Sequence, residues 1–263
     1  MPPAPRPGTG PAPALSAHRG GSEVAPEGTY EAYQSALAAG AEYLEFDVRR
    51  SRDGILVACH PARIGRYAVA DLSYPELCDL AGYQVPPTAD LVRLIAAGRA
   101  RAHIDVKDAA CAGPVLEQAL GLLPPDSVIV TTRDRATAAG IGRQYPGVHL
   151  GLTRGGDMAE TASFALRRAR QPGRGRLDDA LAAGASWAVL HQRLARTGLL
   201  AECRRRGLGT MVWTVSSDRG LRYWLASPDV DVLVTDRPGR AARLRAVQAD
   251  PAPPGGHSPS RSQ

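Results

Sequence analysis

Short apolar runs alternate with segments of helical period along most of the chain. The first run, 14–17, is followed by a helical pattern over 29–40. Further strand-like runs are found at 43–48, 55–59, 102–106, 127–131, 148–152, 186–190, 209–215 and 231–235. Helical patterns recur at 88–98, 114–122, 133–144, 158–170, 196–206, 217–226 and 237–246. The sequence therefore predicts strands and helices that alternate along the chain.

This order predicts an α/β fold built around a parallel sheet. A (β/α)8 TIM barrel typically needs about 250 residues, and the chain has 263. A doubly wound sheet fits less well, because the glycine fingerprint that follows its first strand is absent. Nine strand candidates leave room for one or two of them to lie outside the barrel.

The composition predicts one folded domain over 13–246, since 44% of the residues are apolar. The segments 1–12 and 247–263 are rich in Pro, Gly and Ser. Such segments cannot bury enough apolar surface to fold, so we expect them to be disordered tails. The oligomeric state cannot be predicted from these patterns.

The formal charge of +6 comes largely from arginines spread over the predicted helices. We expect no nucleic-acid binding, because the chain shows no concentrated basic stripe and no known recognition module. The four cysteines lie far apart and suit reduced thiols. The sequence contains no apolar run long enough for a signal peptide or a membrane span. We therefore expect a cytoplasmic location without stable membrane insertion.

Lys107 is the single lysine among 32 basic residues. An ammonium on a flexible stem does what a planar guanidinium cannot, so its retention points to a specific role. Lys107 directly follows the strand-like run at 102–106 and lies two residues after Asp105. Their side chains therefore project from the same side of the strand.

Other polar side chains also follow predicted strands. In a TIM barrel the C-terminal ends of the strands carry the chemistry, so we expect these side chains to converge there. The set comprises His18, Arg19, Glu45, Asp47, His60, Asp105 and Lys107. We interpret the remaining histidines, at 103, 149, 191 and 257, as structural.

Three carboxylates, at positions 45, 47 and 105, make an oxygen-rich site that favours Mg²⁺ or Ca²⁺. Arg19 and Lys107 can hold the oxygens of a phosphate ester. His18 and His60 can move protons to and from the reacting oxygens. This set of groups predicts a site for a small-molecule phosphodiester.

The segments AHRGG, APEGT and GAEYLEFDVRRSRDGILVACH resemble the signature of the glycerophosphodiester phosphodiesterases, and VPPTADLV, WTV and TDRP resemble their later motifs. The resemblance implies a TIM barrel that hydrolyses a glycerophosphodiester to an alcohol and sn-glycerol 3-phosphate. It implies that His18 and His60 are the acid and base, and that Trp213 lines the alcohol side. It also implies the metal ligands Glu45, Asp47 and Asp105 and the phosphate ligands Arg19 and Lys107.

Three residues depart from that family's pattern. Gly28 stands where the family has Asn, Pro61 follows His60 in place of Asp, and Asp105 replaces the usual Glu. Asp-x-Lys at this strand instead resembles the related sphingomyelinase D enzymes. Two alternatives therefore stay open. One is a phospholipase D-like or lyase-type relative that forms a cyclic phosphate or acts on a specialised-metabolite phosphodiester, and the other is a barrel that binds a phosphorylated ligand without turnover.

Overall fold

The computed structural model describes residues 12–155 and 184–249. The strands of this part of the chain are β1 Ala14–Ala17, β2 Tyr43–Arg50, β3 Leu56–Ala58, β4 Arg63–Ile64, β5 Tyr67–Ala68, β6 Arg101–Val106, β7 Val128–Thr132, β8 His149–Arg154, β9 Trp187–His191, β10 Gly209–Trp213 and β11 Val232–Thr235. The longer helices are α1 Tyr30–Ala38, α2 Tyr74–Ala81, α3 Thr88–Ala97, α4 Ala112–Leu120, α5 Arg135–Gln144, α6 Leu200–Arg205, α7 Asp218–Leu225 and α8 Pro238–Ala249.

Eight of these strands form a closed parallel barrel. They pair in the order β1, β11, β10, β9, β8, β7, β6 and β2. Strand β1 closes the ring, since Ala17 pairs with Thr235 of β11 and with Leu44 of β2. The predicted TIM barrel is confirmed.

The strand candidate at 55–59 lies outside the barrel. It forms β3, which runs antiparallel to the end of β2, with Val48 opposite Ala58 and Arg50 opposite Leu56. The connection from Arg50 to Leu56 is far too short for the crossover that a parallel neighbour needs. A tight turn with Gly54 at φ +87° makes the antiparallel return instead.

The segment between β3 and α3 holds elements that the sequence patterns did not predict. A two-stranded hairpin of β4 and β5 is followed by helix α2. Ser73 and Glu76 form a capping box at the start of α2, and Gly82 ends it in the left-handed conformation. These elements form a small cap beside the barrel mouth.

Some predictions fall on residues that are not described. The helix at 158–170 and the whole of 1–11 and 250–263 lie outside the described residues. At the C-terminal end, α8 continues to Ala249, three residues past the predicted domain boundary.

The barrel interior below the mouth is filled by apolar side chains, among them Trp187, Met211 and Val232. The indole of Trp187 packs directly against Gly209, since a Cβ at position 209 would come within 2.6 Å of the ring. This layer makes a packed floor under the open C-terminal end of the barrel.

Among the described residues, no helix combines the length and apolar character needed to cross a membrane. All four cysteines are free thiols, as their spacing predicts.

Candidate active site

The structure places all eight predicted site residues around one cleft at the C-terminal end of the barrel. The cleft has an open volume of about 530 Å³. Its lining includes His18, Arg19, Glu45, Asp47, His60, Asp105, Lys107 and Trp213. They come from β2, β6, β10 and the segments directly after β1, β3 and β6, so the fold joins residues far apart in the sequence.

The turn after β1 sets the position of His18 and Arg19. Arg19 has φ 50° and ψ 35°, a left-handed conformation that is uncommon for a residue with a side chain. Gly20 follows with φ +79°, and a Cβ there would lie 2.7 Å from the backbone nitrogen of Tyr33. The glycine is needed because helix α1 packs directly against this turn.

Glu45 and Asp47 lie on the inner face of β2 and are each only 3% exposed. Carboxylate oxygens of Glu45, Asp47 and Asp105 all lie within 4.8 Å of one another. Three carboxylates at this spacing offer hard oxygen ligands, which fit Mg²⁺ or Ca²⁺ better than Zn²⁺. The donor set therefore fits the metal that the sequence predicts, without deciding between the two ions.

Arg19 and Lys107 neutralise this acidic cluster. Arg19 donates from Nε to Asp47 Oδ2 at 2.9 Å and from its backbone N–H to Glu45 Oε2 at 2.8 Å. Lys107 Nζ lies 2.8 Å from Asp47 Oδ1 and 2.5 Å from Asp105 Oδ2. The single lysine of the chain thus bridges two carboxylates from two strands.

The two carboxylates on β2 have pKa values shifted in opposite directions. Although burial favours the neutral acid, Lys107 and Arg19 hold the pKa of Asp47 below its ordinary value. Burial and the adjacent Asp47 charge raise the pKa of Glu45 to about 8. Burial also opposes the charge of Lys107, but the two carboxylates that it bridges raise its pKa.

His18 is held by a carboxylate that sequence reasoning did not single out. Its Nδ1 lies 2.6 Å from Asp236 Oδ1, and Ser216 Oγ donates to Asp236 Oδ2 at 2.6 Å. Burial opposes protonation of His18, but the Glu45 charge and the Asp236 hydrogen bond raise its pKa. Asp236 belongs to the TDRP motif, which was the available signal for its role.

His60 differs from His18 in its surroundings. It lies in the loop after β3, and its carbonyl accepts N–H groups from Arg49 Nε at 3.0 Å and Nη2 at 2.9 Å. Burial, together with the positive charges of Arg19 and Lys107, lowers the pKa of its imidazole. The site thus contains one imidazole with a raised pKa and one with a lowered pKa.

A buried chain of hydrogen bonds supports Asp105. Thr131 Oγ1 donates to Asp105 Oδ1 at 3.0 Å and lies 3.2 Å from His103 Nε2, while His103 Nδ1 lies 3.0 Å from Ser16 Oγ. Burial lowers the pKa of His103 to about 3, so the ring is neutral. Since the Thr131 proton points to the carboxylate, Nε2 of His103 carries the ring proton and donates to Thr131.

His103 was interpreted as structural from the sequence, and its buried position fits that interpretation. It nevertheless acts on the site through Thr131, a link that only the pairing of β6 with β7 reveals.

Trp213 is the last residue of β10 and contacts the ring of His191 edge to face at 5.2 Å. Its Nε1 is buried and has no hydrogen-bond partner within the described residues.

Of the three departures, two lie beside the cleft at the cap. A Cβ on Gly28, which has φ +79°, would meet only the hydroxyl of Tyr83 at 3.7 Å. The loss of a side chain at this position therefore leaves open space. Pro61 follows His60 and accepts a hydrogen bond through its carbonyl from Cys59 Sγ at 3.6 Å.

Comparison with known proteins gives a consistent result. The model of the glycerophosphoryl diester phosphodiesterase family matches residues 18–80, which include His18, Arg19, Glu45, Asp47 and His60. A glycerophosphodiester phosphodiesterase of Caldanaerobacter subterraneus subsp. tengcongensis is 23% identical over 244 residues, 84% of this chain and 93% of that protein.

Solved structures show the same fold. A glycerophosphodiester phosphodiesterase from Thermotoga maritima has a TM-score of 0.70 at 21% identity, covering 89% of this chain and 98% of that one. An Oleispira antarctica phosphodiesterase in complex with the product sn-glycerol-3-phosphate has a TM-score of 0.70 at 18% identity, covering 89% and 96%. The segment matched by the family model carries both cleft histidines and both β2 carboxylates, so the chain is similar to glycerophosphoryl diester phosphodiesterases both in this sequence segment and in its barrel fold.

Proposed function

We propose that this enzyme hydrolyses a glycerophosphodiester to an alcohol and sn-glycerol 3-phosphate with the aid of a divalent metal ion. The observation that carries the proposal is the meeting of two histidines of opposite pKa shift, three carboxylates and two cations in one cleft. The proposal includes a cytoplasmic location, which the free cysteines support.

Glu45, Asp47 and Asp105 would hold the metal ion. When bound, Mg²⁺ or Ca²⁺ supplies a positive charge that polarises the phosphoryl group. Arg19 and Lys107 face the same space and stabilise negative charge that builds on the nonbridging oxygens. Arg19 and Lys107 also contact Asp47. The same contacts would therefore position the phosphate group relative to the proposed metal ligands.

His18 and His60 transfer the protons of the reaction. An oxygen nucleophile forms a bond to phosphorus while the P–O bond to the alcohol breaks, so the nucleophile loses a proton and the alcohol oxygen gains one. One imidazole must accept a proton and the other must donate one. The state with one proton on the pair is favoured between the two pKa values, because the pKa of His18 is raised and that of His60 is lowered.

The test is product analysis with glycerophosphocholine and glycerophosphoethanolamine. We expect turnover that EDTA abolishes and that Mg²⁺ or Ca²⁺ restores. His18→Ala and His60→Ala should each lower kcat by roughly 10²- to 10⁴-fold, the usual contribution of an acid or base. Full activity of either variant would contradict its proposed role.

Phosphorus NMR of the products separates hydrolysis from the related chemistry. Accumulation of sn-glycerol 3-phosphate supports hydrolysis, and accumulation of a cyclic phosphate as the end product would replace it. Binding of sn-glycerol 3-phosphate without turnover of any diester would favour a barrel that only binds its ligand.

A further inference from the structure

A second cavity lies on the other side of Arg19, Asp47 and His60. It has an open volume of about 400 Å³ and shares these three residues with the first cleft. The two cavities therefore meet where the phosphate group is expected to lie. A phosphodiester carries two ester arms on one phosphorus atom, so two cavities that meet there can each receive one arm.

The two cavities differ in chemistry. Beyond the charged groups and His103, the first cleft is lined by Thr131, Thr153 and Thr214 together with Val189, Trp213 and Val234. Apart from the three shared residues and Glu27, which pairs with Arg19, the walls of the second cavity are Gly28, Tyr33, Ala58, Cys59, Pro61, Ile64 and Tyr83. Hydroxyl-rich walls suit a glycerol arm, whereas the second set offers apolar surface.

The wall of the second cavity is preformed. Cys59 and Ile64 belong to a small apolar cluster of the cap, together with Leu72, Leu77 and Val85. Tyr74 ties this cluster to the chain before α3, since its hydroxyl donates to the carbonyl of Val85 at 3.0 Å. A wall with its own packed core does not have to be ordered by the ligand, which favours binding.

Gly28 keeps the second cavity open. It has φ +79°, and a Cβ built on it would find only the Tyr83 hydroxyl, at 3.7 Å. The positive φ limits this position to glycine, or to asparagine at modest strain. A side chain at position 28 would begin beside the Tyr83 hydroxyl, in the lining of the second cavity.

From this arrangement we infer that the second cavity binds the leaving alcohol and selects alcohols with an extended apolar body. The inference rests on the proposed function, because it assigns the second ester arm of the same substrate. The glycerol arm occupies the threonine-lined cleft, and the phosphate lies between the two arms at Arg19 and His60. Trp213, which the family resemblance places on the alcohol side, then lies beside the glycerol arm instead.

The experiment compares the sn-glycerol 3-phosphate esters of ethanol, butanol and hexanol. For the natural chain, kcat/KM should rise by up to about fourfold for each methylene that the cavity buries. Gly28→Asn should remove most of this rise, since its side chain fills space that the longer alcohol arms would occupy. Ile64→Ala, which shortens the apolar wall without adding strain, should reduce the rise as well.

Gly54→Asn is the matched control. Gly54 also has a positive φ, and a Cβ there would meet nothing within 4 Å, while the residue is absent from the lining of either cavity. It should keep the full dependence on chain length. A natural enzyme with equal kcat/KM for the three esters, or equal losses on all three in the Gly28 and Ile64 variants, would overturn the inference.

Failure of the proposed function can be distinguished from failure of the inference about the second cavity. If none of the three esters is hydrolysed, calorimetric binding of the ethyl and hexyl esters decides the question about the cavity. Tighter binding of the hexyl ester that disappears in Gly28→Asn supports the inference, and equal binding of the two esters overturns it.

Discussion

Asp236 controls the protonation of one catalytic imidazole in the proposed mechanism. The rate requires one proton on the histidine pair, whichever ring carries it. As pH rises through the raised pKa of His18 that proton is lost, and as pH falls through the lowered pKa of His60 a second proton is gained. We therefore expect a bell-shaped dependence of kcat/KM on pH.

Asp236→Asn should move the alkaline limb of this profile to lower pH. The amide carries no charge, so the His18 imidazolium loses both a charged acceptor and a favourable Coulomb interaction. The acidic limb, set by His60, should stay in place. Asp229→Asn is a matched control, because Asp229 pairs with Arg204 away from the cleft. An unchanged alkaline limb in Asp236→Asn would refute this role for Asp236.

Lys107 is the residue that sequence reasoning identified most directly. Its position between Asp47 and Asp105 follows from strand alternation, because positions 105 and 107 project to one side and β6 pairs with β2 in register. Asp236 was missed as a partner of His18 because that contact joins residues 218 positions apart in the chain. No local pattern encodes such a pair.

Lys107→Arg should lower kcat strongly although the charge is kept. A planar guanidinium cannot place one compact donor between two carboxylates on neighbouring strands. Loss of a donor that stabilises transition-state charge lowers kcat by roughly 10²- to 10³-fold. Steady-state kinetics on glycerophosphocholine measures the effect, with Arg101→Lys at the start of β6 as a control. Wild-type kinetics in Lys107→Arg would show that only the charge matters.

At the level of elements, the turn from β1 to α1 is limited by close packing. Gly20→Ala should lower the free energy of unfolding by about 2–5 kcal/mol, the sum of left-handed strain and overpacking. The new Cβ would lie 2.7 Å from Tyr33 N and 2.8 Å from Ala32 C. Gly54→Ala has similar strain with no such contact, so urea denaturation of both variants separates the two causes. Equal losses would exclude the packing term.

Strands β1, β6 and β7 are linked by the hydrogen-bond chain from Ser16 through His103 and Thr131 to Asp105. Thr131→Val removes the hydroxyl while keeping the shape of the side chain, so Asp105 loses the donor that orients it. Removal of a group that orients a metal ligand typically weakens metal binding about 10- to 100-fold. Calorimetric titration with Mg²⁺ or Ca²⁺ measures this without any substrate.

Thr132→Val is the control for that titration. Thr132 is equally buried and adjacent, but its hydroxyl accepts the backbone N–H of Asp134. We expect its metal affinity to match that of the unmodified chain. An unaltered affinity in Thr131→Val would mean that Lys107 alone positions Asp105.

At the scale of the molecule, the barrel was predictable because each of its strands is a separate apolar run and helical patterns alternate with most of these runs along the sequence. The candidate at 55–59 has the same local pattern as a barrel strand, and only the short connection from β2 assigns it to the cap. The cap itself was missed because β4 and β5 have two residues each. Such short strands carry no periodicity, so the second cavity could not be predicted either.

Metal binding should also be visible in the stability of the whole molecule. If Glu45, Asp47 and Asp105 hold a divalent ion in the native state only, a ligand at 100 times its Kd stabilises the fold by about 2.7 kcal/mol. For a domain of this size that corresponds to a rise in Tm of roughly 5–10 °C. Scanning calorimetry with Mg²⁺ or Ca²⁺, and again with EDTA, measures the change.

Sodium chloride at equal ionic strength is the control for charge screening, since the clustered carboxylates already have Arg19 and Lys107 as partners. Asp105→Asn should greatly reduce the metal-dependent rise, because an amide oxygen is a weaker ligand than a carboxylate. A rise of the same size in this variant would place the ion elsewhere. If neither ion changes Tm when sodium chloride does not, the carboxylates act through Arg19 and Lys107 alone, and the proposed role of the metal is wrong.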